Sequence, residues 1–485
     1  MLEMSVSWPQ ACAILSWPSP LARTNGTGPI GAMWGSRPDS CRDSPIRDEP
    51  LPSVFGEVRF RPHQKGYRMS LRKVLTVVVA GLLFATALTA QAPGASAIPP
   101  VVPLPDFYSV PSPLTPGEPG ELISSEPVSA PGLHGSMWRV MYHSQAIDGT
   151  DIAVTGLIAT PDDDAPTHDV VTWAHGTTGI ADSCAPSLNP SSSEMVLLAN
   201  GLLDKGYVVT ATDYEGLGTP GRHPYIAGIS EGRGTLDIVK TAVAMPEVKA
   251  STDYIVWGHS QGGHAAMFAG HLAAAWAPEL NLKGVVAGAP PSQMLLLNAA
   301  LQTSPYKYYI GMTAAGFNAG YGDTLAPLDK VLTPEGLDWL DNVDQGCTGY
   351  LSSASEGLDF STLQKADPAT VPEWNALLKE NDPGTFTEAF DAPLLIIHGG
   401  NDEQIPVIAS KLMFDTLCGI GQTQTRWVFP GQSHAGVILP SAPAMLDWMG
   451  DRFSGVPDSG EIVPTDAQVE TCNLATPVVA PSFTG

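Results

Sequence analysis

The sequence predicts an α/β fold, with a mostly parallel central sheet flanked by helices and one helical segment inserted into it. Three observations lead there. Short apolar strands alternate with helical runs over residues 137–291, an order that requires right-handed crossovers between parallel neighbours. That alternation stops over residues 292–391 and resumes at 392. Between the apolar run Tyr254-Ile255-Val256-Trp257 and the Ala-rich run that starts at His264 lies Gly258-His259-Ser260-Gln261-Gly262. This is a strand-to-helix turn whose glycines let the backbone reverse and leave the serine hydroxyl exposed.

In chain order, residues 98–136 are rich in Pro, Gly and Ser without a period and are expected to form an irregular arm. Strands follow at 137–142 and 152–158, joined by the turn-forming Asp148-Gly149-Thr150. A short buried strand at 169–174 runs into His175-Gly176-Thr177-Thr178-Gly179, and ligand sites in open parallel sheets sit at such strand ends. A helix near 193–205, a strand at 207–212 and a helix near 235–244 lead to the strand before Ser260. The helix at 264–274 and the strand at 282–287 come next, stopped by Pro290 and Pro291.

Residues 292–391 hold no β-branched run, but Met294-Leu295-Leu296-Leu297 and residues 306–312 are strongly apolar. A structureless loop of that length is improbable, so a helical cap over the strand ends is expected. The strand at 393–398 then ends in Gly399-Gly400-Asn401-Asp402. A helix at 407–417 and a strand at 425–429 lead to Pro430-Gly431-Gln432-Ser433-His434, and a helix at 442–453 precedes a Pro/Thr-rich tail. Residues 137–291 and 392–485 thus make one core.

The N-terminus reads as a processing signal. Arg72 and Lys73 precede an apolar run at 74–90, and Ala95-Ser96-Ala97 precedes Ile98-Pro99-Pro100, the build of a cleaved secretory signal peptide over residues 69–97. Residues 1–68 show no sustained period and are expected to contribute nothing to the mature chain. Residues 1–97 hold ten of the 24 basic and six of the 49 acidic residues, so without them the net charge goes from −25 to −29. A surface that acidic repels nucleic acid. Cys12 and Cys41 fall in the removed segment. Cys184, Cys347, Cys418 and Cys472 remain, an even set in an exported chain with three possible pairings and no close spacing of a zinc site.

A serine hydroxyl is a poor nucleophile at neutral pH and needs a histidine to take its proton and a carboxylate to orient that histidine. His434 is the one histidine C-terminal to His398. Asp402 follows a buried strand by a short loop; Glu403 is its neighbouring alternative, while Asp391 precedes the strand and lies at the wrong edge. The expected triad is therefore Ser260, Asp402 and His434. Charge on the attacked carbonyl oxygen needs preset donors, the backbone N–H of Gln261 and one from the loop after residue 174, Thr177 ahead of Thr178. Gly228-Ile229-Ser230-Glu231-Gly232 repeats the glycine spacing without a strand before it, so Ser230 reads as a loop or helix N-cap residue. His264 and His271, seven apart on one helix, read as packing residues, and His175 and His398 as shaping their loops.

His175-Gly176-Thr177-Thr178-Gly179 with Cys184-Ala185-Pro186-Ser187, Tyr225-Ile226-Ala227-Gly228 with Glu231-Gly232, Gly258-His259-Ser260-Gln261-Gly262-Gly263-His264-Ala265, Asp402 before Ile405-Pro406, and His434 form an ordered set. With that set the chain resembles the secretory lipase family of α/β hydrolases. The resemblance implies a secreted serine lipase or carboxylesterase, an inserted cap and no cofactor. It also implies the pairings Cys184–Cys347, tying the oxyanion-side loop to the cap, and Cys418–Cys472, pinning the tail. Lipid or another acyl ester is the expected substrate, and the apolar runs of the cap are expected to form the acyl-binding surface and to touch lipid interfaces. A peptidase or amidase on the same fold, or a non-catalytic binding protein, are the alternatives, because a fold does not fix the scissile bond.

Overall fold

The computed structural model describes residues 103–474. The expected N-terminal extension (1–68), the signal peptide (69–97), Cys12 and Cys41 lie outside the described residues. Ten strands form one sheet in the order β1-β2-β3-β5-β4-β6-β7-β8-β9-β10. These are β1 Leu122–Pro127, β2 Gly135–Gln145, β3 Asp151–Pro161, β4 His168–Ala174, β5 Val208–Thr212, β6 Ala250–His259, β7 Asn281–Gly288, β8 Leu394–Gly399, β9 Gln424–Phe429 and β10 Gln468–Cys472.

The six strands from β5 to β9 run parallel, and β1, β2, β3 and β10 pair antiparallel at the two edges. Parallel strands are covered on both faces, so their residues are apolar on both. Val170, Tyr254 and Val256 point to one layer, where helices α2 (Gly228–Ala244) and α3 (Gln261–Trp276) pack after α1 (Ser193–Leu203) has crossed the other. Val171, Trp173, Ile255 and Trp257 point to that second layer, against Met195 and Leu202 of α1.

Between β7 and β8 the chain forms α4 (Met294–Leu301), α5 (Tyr308–Leu325), α6 (Leu328–Val331), α7 (Pro334–Trp339), α8 (Thr348–Ala354) and α9 (Pro372–Glu380). Their buried side chains, Phe317, Trp339 and Trp374 among them, make a separate apolar cluster that also takes in Ile180, Tyr225, Ile226 and Ile405 from the strand-end loops. After β8, α10 (Val407–Gly419) joins the first layer and α11 (Ile438–Phe453) the second. Among the described residues, no helix is long and apolar enough to cross a membrane.

The sequence-based boundaries shift in places with identifiable causes. The arm expected over 98–136 contains β1, and β10 ends the Pro/Thr-rich tail; both are five- or six-residue edge strands with mixed exposure, so neither carries the alternation of a half-buried strand. Helix α2 starts at Gly228, seven residues before the helical pattern becomes readable, because glycine lowers helix propensity. Here the glycines serve packing: a Cβ at Gly228 would sit 2.3 Å from the Phe268 ring of α3. Ser230 accordingly lies inside α2, where its hydroxyl donates to the Glu215 carboxylate, and neither in a loop nor at the N-cap.

Disulfides join Cys184 to Cys347 and Cys418 to Cys472. The first ties the loop after β4 to the insertion, beside a bridge between Gly179 and Cys347 and the bond from Thr348 N–H to the Thr178 carbonyl, 2.9 Å. With 163 residues between its ends, chain-entropy reasoning assigns it about 5 kcal/mol. Replacing Cys347 by Ser should lower the urea midpoint and steepen the unfolding transition, because the uncrosslinked denatured chain exposes more surface; an unchanged midpoint would show that native contacts alone hold the insertion in place.

Candidate active site

Strand order reverses around β4, with β5 on one side of it and β6 on the other, which opens a crevice at the carboxyl ends of β4 and β6. Ser260 follows β6 at that crevice with φ 60° and ψ −125°, a conformation that a non-glycine residue adopts only when its surroundings impose it. The imposition is steric. A Cβ at Gly262 would lie 1.8 Å from the Ala174 carbonyl oxygen, so the start of α3 presses directly on the end of β4. The Ser260 N–H is fixed by the Gly288 carbonyl at 2.8 Å, and the side chain faces the crevice with 8% of the residue exposed.

Asp402 and His434 come from the ends of β8 and β9. Asp402 Oδ1 accepts the backbone N–H groups of Gln404 (2.9 Å) and Ile405 (2.8 Å), leaving Oδ2 for His434 Nδ1 at 2.7 Å. His398 Nε2 approaches the same oxygen at 3.2 Å. Burial pushes the Asp402 carboxyl up, but these hydrogen bonds from His398 and His434 outweigh it and hold the group well below the usual carboxylate range. A depressed carboxylate contributes its stability above the ordinary value near ~3.9 and loses it only as the pH falls through the folded value. Asp402 therefore stays an anion, able to hold His434 with its Nε2 free to accept a proton. Glu403, the neighbouring alternative, accepts the His434 backbone N–H at 3.0 Å instead. His259 packs against His434 with ring centroids 4.7 Å apart and the planes tilted by 54°, and burial together with that neighbour pushes it down to about 3, so it stays neutral.

Gly176 brings the loop after β4 against Ser260: a Cβ there would be 3.3 Å from the His259 carbonyl and 3.7 Å from the Ser260 Cβ. Thr177 Oγ1 shares a 2.9 Å hydrogen bond with the Tyr225 hydroxyl. Ser260, His434, Thr177, Thr178, Cys184 and Cys347 all line one cleft of about 590 Å³. Gln261 is buried at the first position of α3.

The walls of the cleft hold residues that carried no sequence signal as cleft residues, among them Trp173, Leu188, Met195, Leu198 and Ile438, together with Tyr309 from the apolar run 306–312. Tyr309 is also held by Gln404, the residue two past Asp402, through a 3.0 Å hydrogen bond. From the insertion, Tyr309, Cys347 and Thr348 reach this cleft. Met294 and Leu297 face a small void of about 50 Å³ inside the insertion, walled by Ile310, Ala314 and Trp374. Of the two apolar runs expected to form the acyl-binding surface, then, only Tyr309 meets the cleft, while Tyr308, Ile310 and Met312 of the second and Met294 and Leu297 of the first pack the interior of the insertion.

A parallel sheet with a strained serine turn after a central strand, followed in the chain by an aspartate and a histidine at later strand ends, defines an α/β hydrolase. A model of the secretory lipase family matches residues 190–460. The chain is 29% identical over 337 residues to a secreted triacylglycerol lipase of Malassezia globosa, covering 66% of this chain and 73% of that protein. Lipase 10 of Candida albicans is 25% identical over 386 residues, covering 72% and 81%. Among solved structures, Candida antarctica lipase A in its closed state superposes with a TM-score of 0.64 at 19% identity, over 73% of this chain and 86% of that one. The rice cell wall degrading esterase LipA from Xanthomonas oryzae gives 0.54 at 16% identity, over 70% and 97%. The chain belongs to the secretory lipase family, and with it to the carboxylic ester hydrolases.

Proposed function

We propose that the protein is an exported lipase or carboxylesterase that cleaves esters of apolar acids through an acyl-enzyme on Ser260. The observation that carries the reading is the 2.7 Å bond between Asp402 and His434 on the same cleft as the strained Ser260. In this mechanism His434 Nε2 takes the proton as Ser260 Oγ attacks the ester carbonyl. The charge on the carbonyl oxygen meets the backbone N–H of Gln261 and a donor of Thr177. The tetrahedral adduct collapses, the C–O bond to the alcohol breaks, and the imidazolium returns its proton to the leaving oxygen. Water then enters, gives a proton to His434 and its oxygen to the acyl carbon, and the acid leaves as Ser260 regains its proton.

Residues that act as one unit are non-additive. Ser260→Ala alone should lower kcat by about 10⁶, and adding His434→Ala should cost little more. Turnover near that of the unaltered protein by the Ser260→Ala variant would refute the assignment.

The apolar walls contributed by α1, the start of α11 and Tyr309 support a preference for longer acyl groups, with the insertion serving as a cap that can meet a lipid interface. Each methylene buried from the substrate contributes about 0.8 kcal/mol, so a four-carbon extension should raise kcat/KM by up to roughly 200-fold. The measurement uses soluble esters of two to eight acyl carbons below their micelle concentrations. A maximum at acetyl would make the protein a small-substrate esterase.

Export is supported by the signal-like sequence at 69–97, by two disulfides, and by relatives named as secreted. N-terminal sequencing of protein from culture medium should give a chain that begins near Ile98. A mature peptide containing any of residues 1–68 would overturn this start.

A further inference from the structure

Glu231 is a fully buried carboxylate outside the triad. Burying a carboxylate costs several kcal/mol unless donors surround it, and breaking such a set strands the charge. Its donors come from two places. Oε1 accepts the Ile226 N–H at 2.9 Å and Gln261 Nε2 at 2.8 Å; Oε2 faces His264 Nδ1 at 2.9 Å. His264 Nε2 in turn faces the Asn381 carbonyl at 2.8 Å, so both ring nitrogens act as donors.

The amide of Gln261 has one orientation that fits. Its NH₂ lies between Glu231 Oε1 and His223 Nε2, the latter at 2.8 Å. Burial pushes His223 down to about 4, and its Nδ1–H donates to the Glu215 carbonyl at 2.8 Å, so Nε2 is left to accept. An amide nitrogen held between two acceptors on other segments fixes the first turn of α3, and with it the N–H beside Ser260.

Ile226 has φ 61°, a region costly for a β-branched residue. Its N–H bond to Glu231 holds that conformation, and so does the approach of α5, where a Cβ at Gly316 would be 2.5 Å from the Tyr225 nitrogen. The turn aims the preceding residue, Tyr225, whose hydroxyl meets Thr177 Oγ1 at 2.9 Å. One carboxylate oxygen therefore bonds the segment behind each of the two oxyanion residues.

We infer that Glu231 is a positioning residue that sets the spacing of the two oxyanion donors, through Gln261 on one side and through Ile226, Tyr225 and Thr177 on the other. This rests on the proposed oxyanion pair of Gln261 and Thr177. A role confined to packing α2 against α3 would lower the melting temperature of a variant and leave the kinetics of the folded protein alone. Positioning of donors that act on the transition state lowers kcat and leaves KM in place.

The test compares Glu231→Ala with Glu231→Gln, at a temperature where circular dichroism finds both folded. Alanine removes the shared acceptor and should lower kcat about 10- to 100-fold with KM within about twofold. Glutamine keeps an acceptor oxygen for Ile226 and Gln261, and with the carboxylate charge gone His264 needs only its Nε2–H, toward Asn381, so that its Nδ1 accepts the glutamine NH₂; kcat should return to within about threefold of the unaltered protein, whatever its melting temperature. Should the alanine variant not fold, Gln261→Met, which keeps the backbone N–H but loses the bond to Glu231, should lower kcat at least about fivefold with KM unchanged. An unaltered kcat in whichever of these variants folds, or an equal loss in the alanine and glutamine proteins, overturns the inference. Labelling of the unaltered protein with a p-nitrophenyl phosphonate separates the two levels. If Ser260 is not labelled, the reading of the site itself fails; if it is labelled and the variants turn over normally, only the role of Glu231 fails.

Discussion

The contact between the start of α3 and the end of β4 governs the rest of the site. Gly262 lies so close to the Ala174 carbonyl that no side chain fits, and Ser260 pays for that approach with a left-handed backbone. The same approach brings the loop after β4 within van der Waals reach of the serine, because β4 and β6 are parallel neighbours that end at the same level. A longer turn at Ser260 would relax the backbone and separate the serine from the loop proposed to supply an oxyanion donor beside it. The strain and the proximity are therefore one constraint.

The electrostatics follow from the same geometry. Groups at the carboxyl ends of parallel strands lie near unpaired backbone donors of the following loops, and Asp402 uses two of these, the N–H groups of Gln404 and Ile405. This leaves one oxygen for imidazole, which fixes the ring of His434 from behind. Glu231 repeats the arrangement on the other side of Ser260, with a backbone N–H, an amide and an imidazole as its donors. Each carboxylate is buried and each is met by donors from more than one segment. Removing a donor from such a set leaves a charge without a partner, and this makes the local arrangement all-or-none.

Much of the sheet was legible because parallel strands covered on both faces are continuous apolar runs, as at Val170 and Val171 or Leu394 to Ile397. Ser260, Asp402 and His434 were legible as candidates because turn chemistry and chain order mark them. What escaped was set by tertiary contact. Glu231 stood in the matching set with Gly232 but drew no role, since the glycines that let α2 meet α3 also erase the helical pattern around it. Met195, Leu198 and Ile438 gave no signal as cleft residues, because an apolar residue on an amphipathic helix looks alike whether it faces a core or a cleft. The edge strands β1 and β10 were missed because they are short and half exposed.

The insertion is anchored on the site side at three separated points. Cys347 is bonded to Cys184 on the cleft wall, α5 packs Gly316 onto Tyr225, and Asn381 after α9 receives the Gly228 N–H at 2.8 Å as well as His264 Nε2. Three points that do not lie on one stretch of chain define a plane, and a body held at a plane cannot swing about a single hinge. Any movement that widens the cleft must leave these anchors standing, so the freedom falls to segments outside them, such as residues 302–307 ahead of Tyr309. The Tyr309 hydroxyl on Gln404 is a contact in the cleft wall that such a shift would break. A substrate large enough to displace Tyr309 would thus change the width of the cleft while Asp402, His434 and the turn at Ser260 keep their geometry.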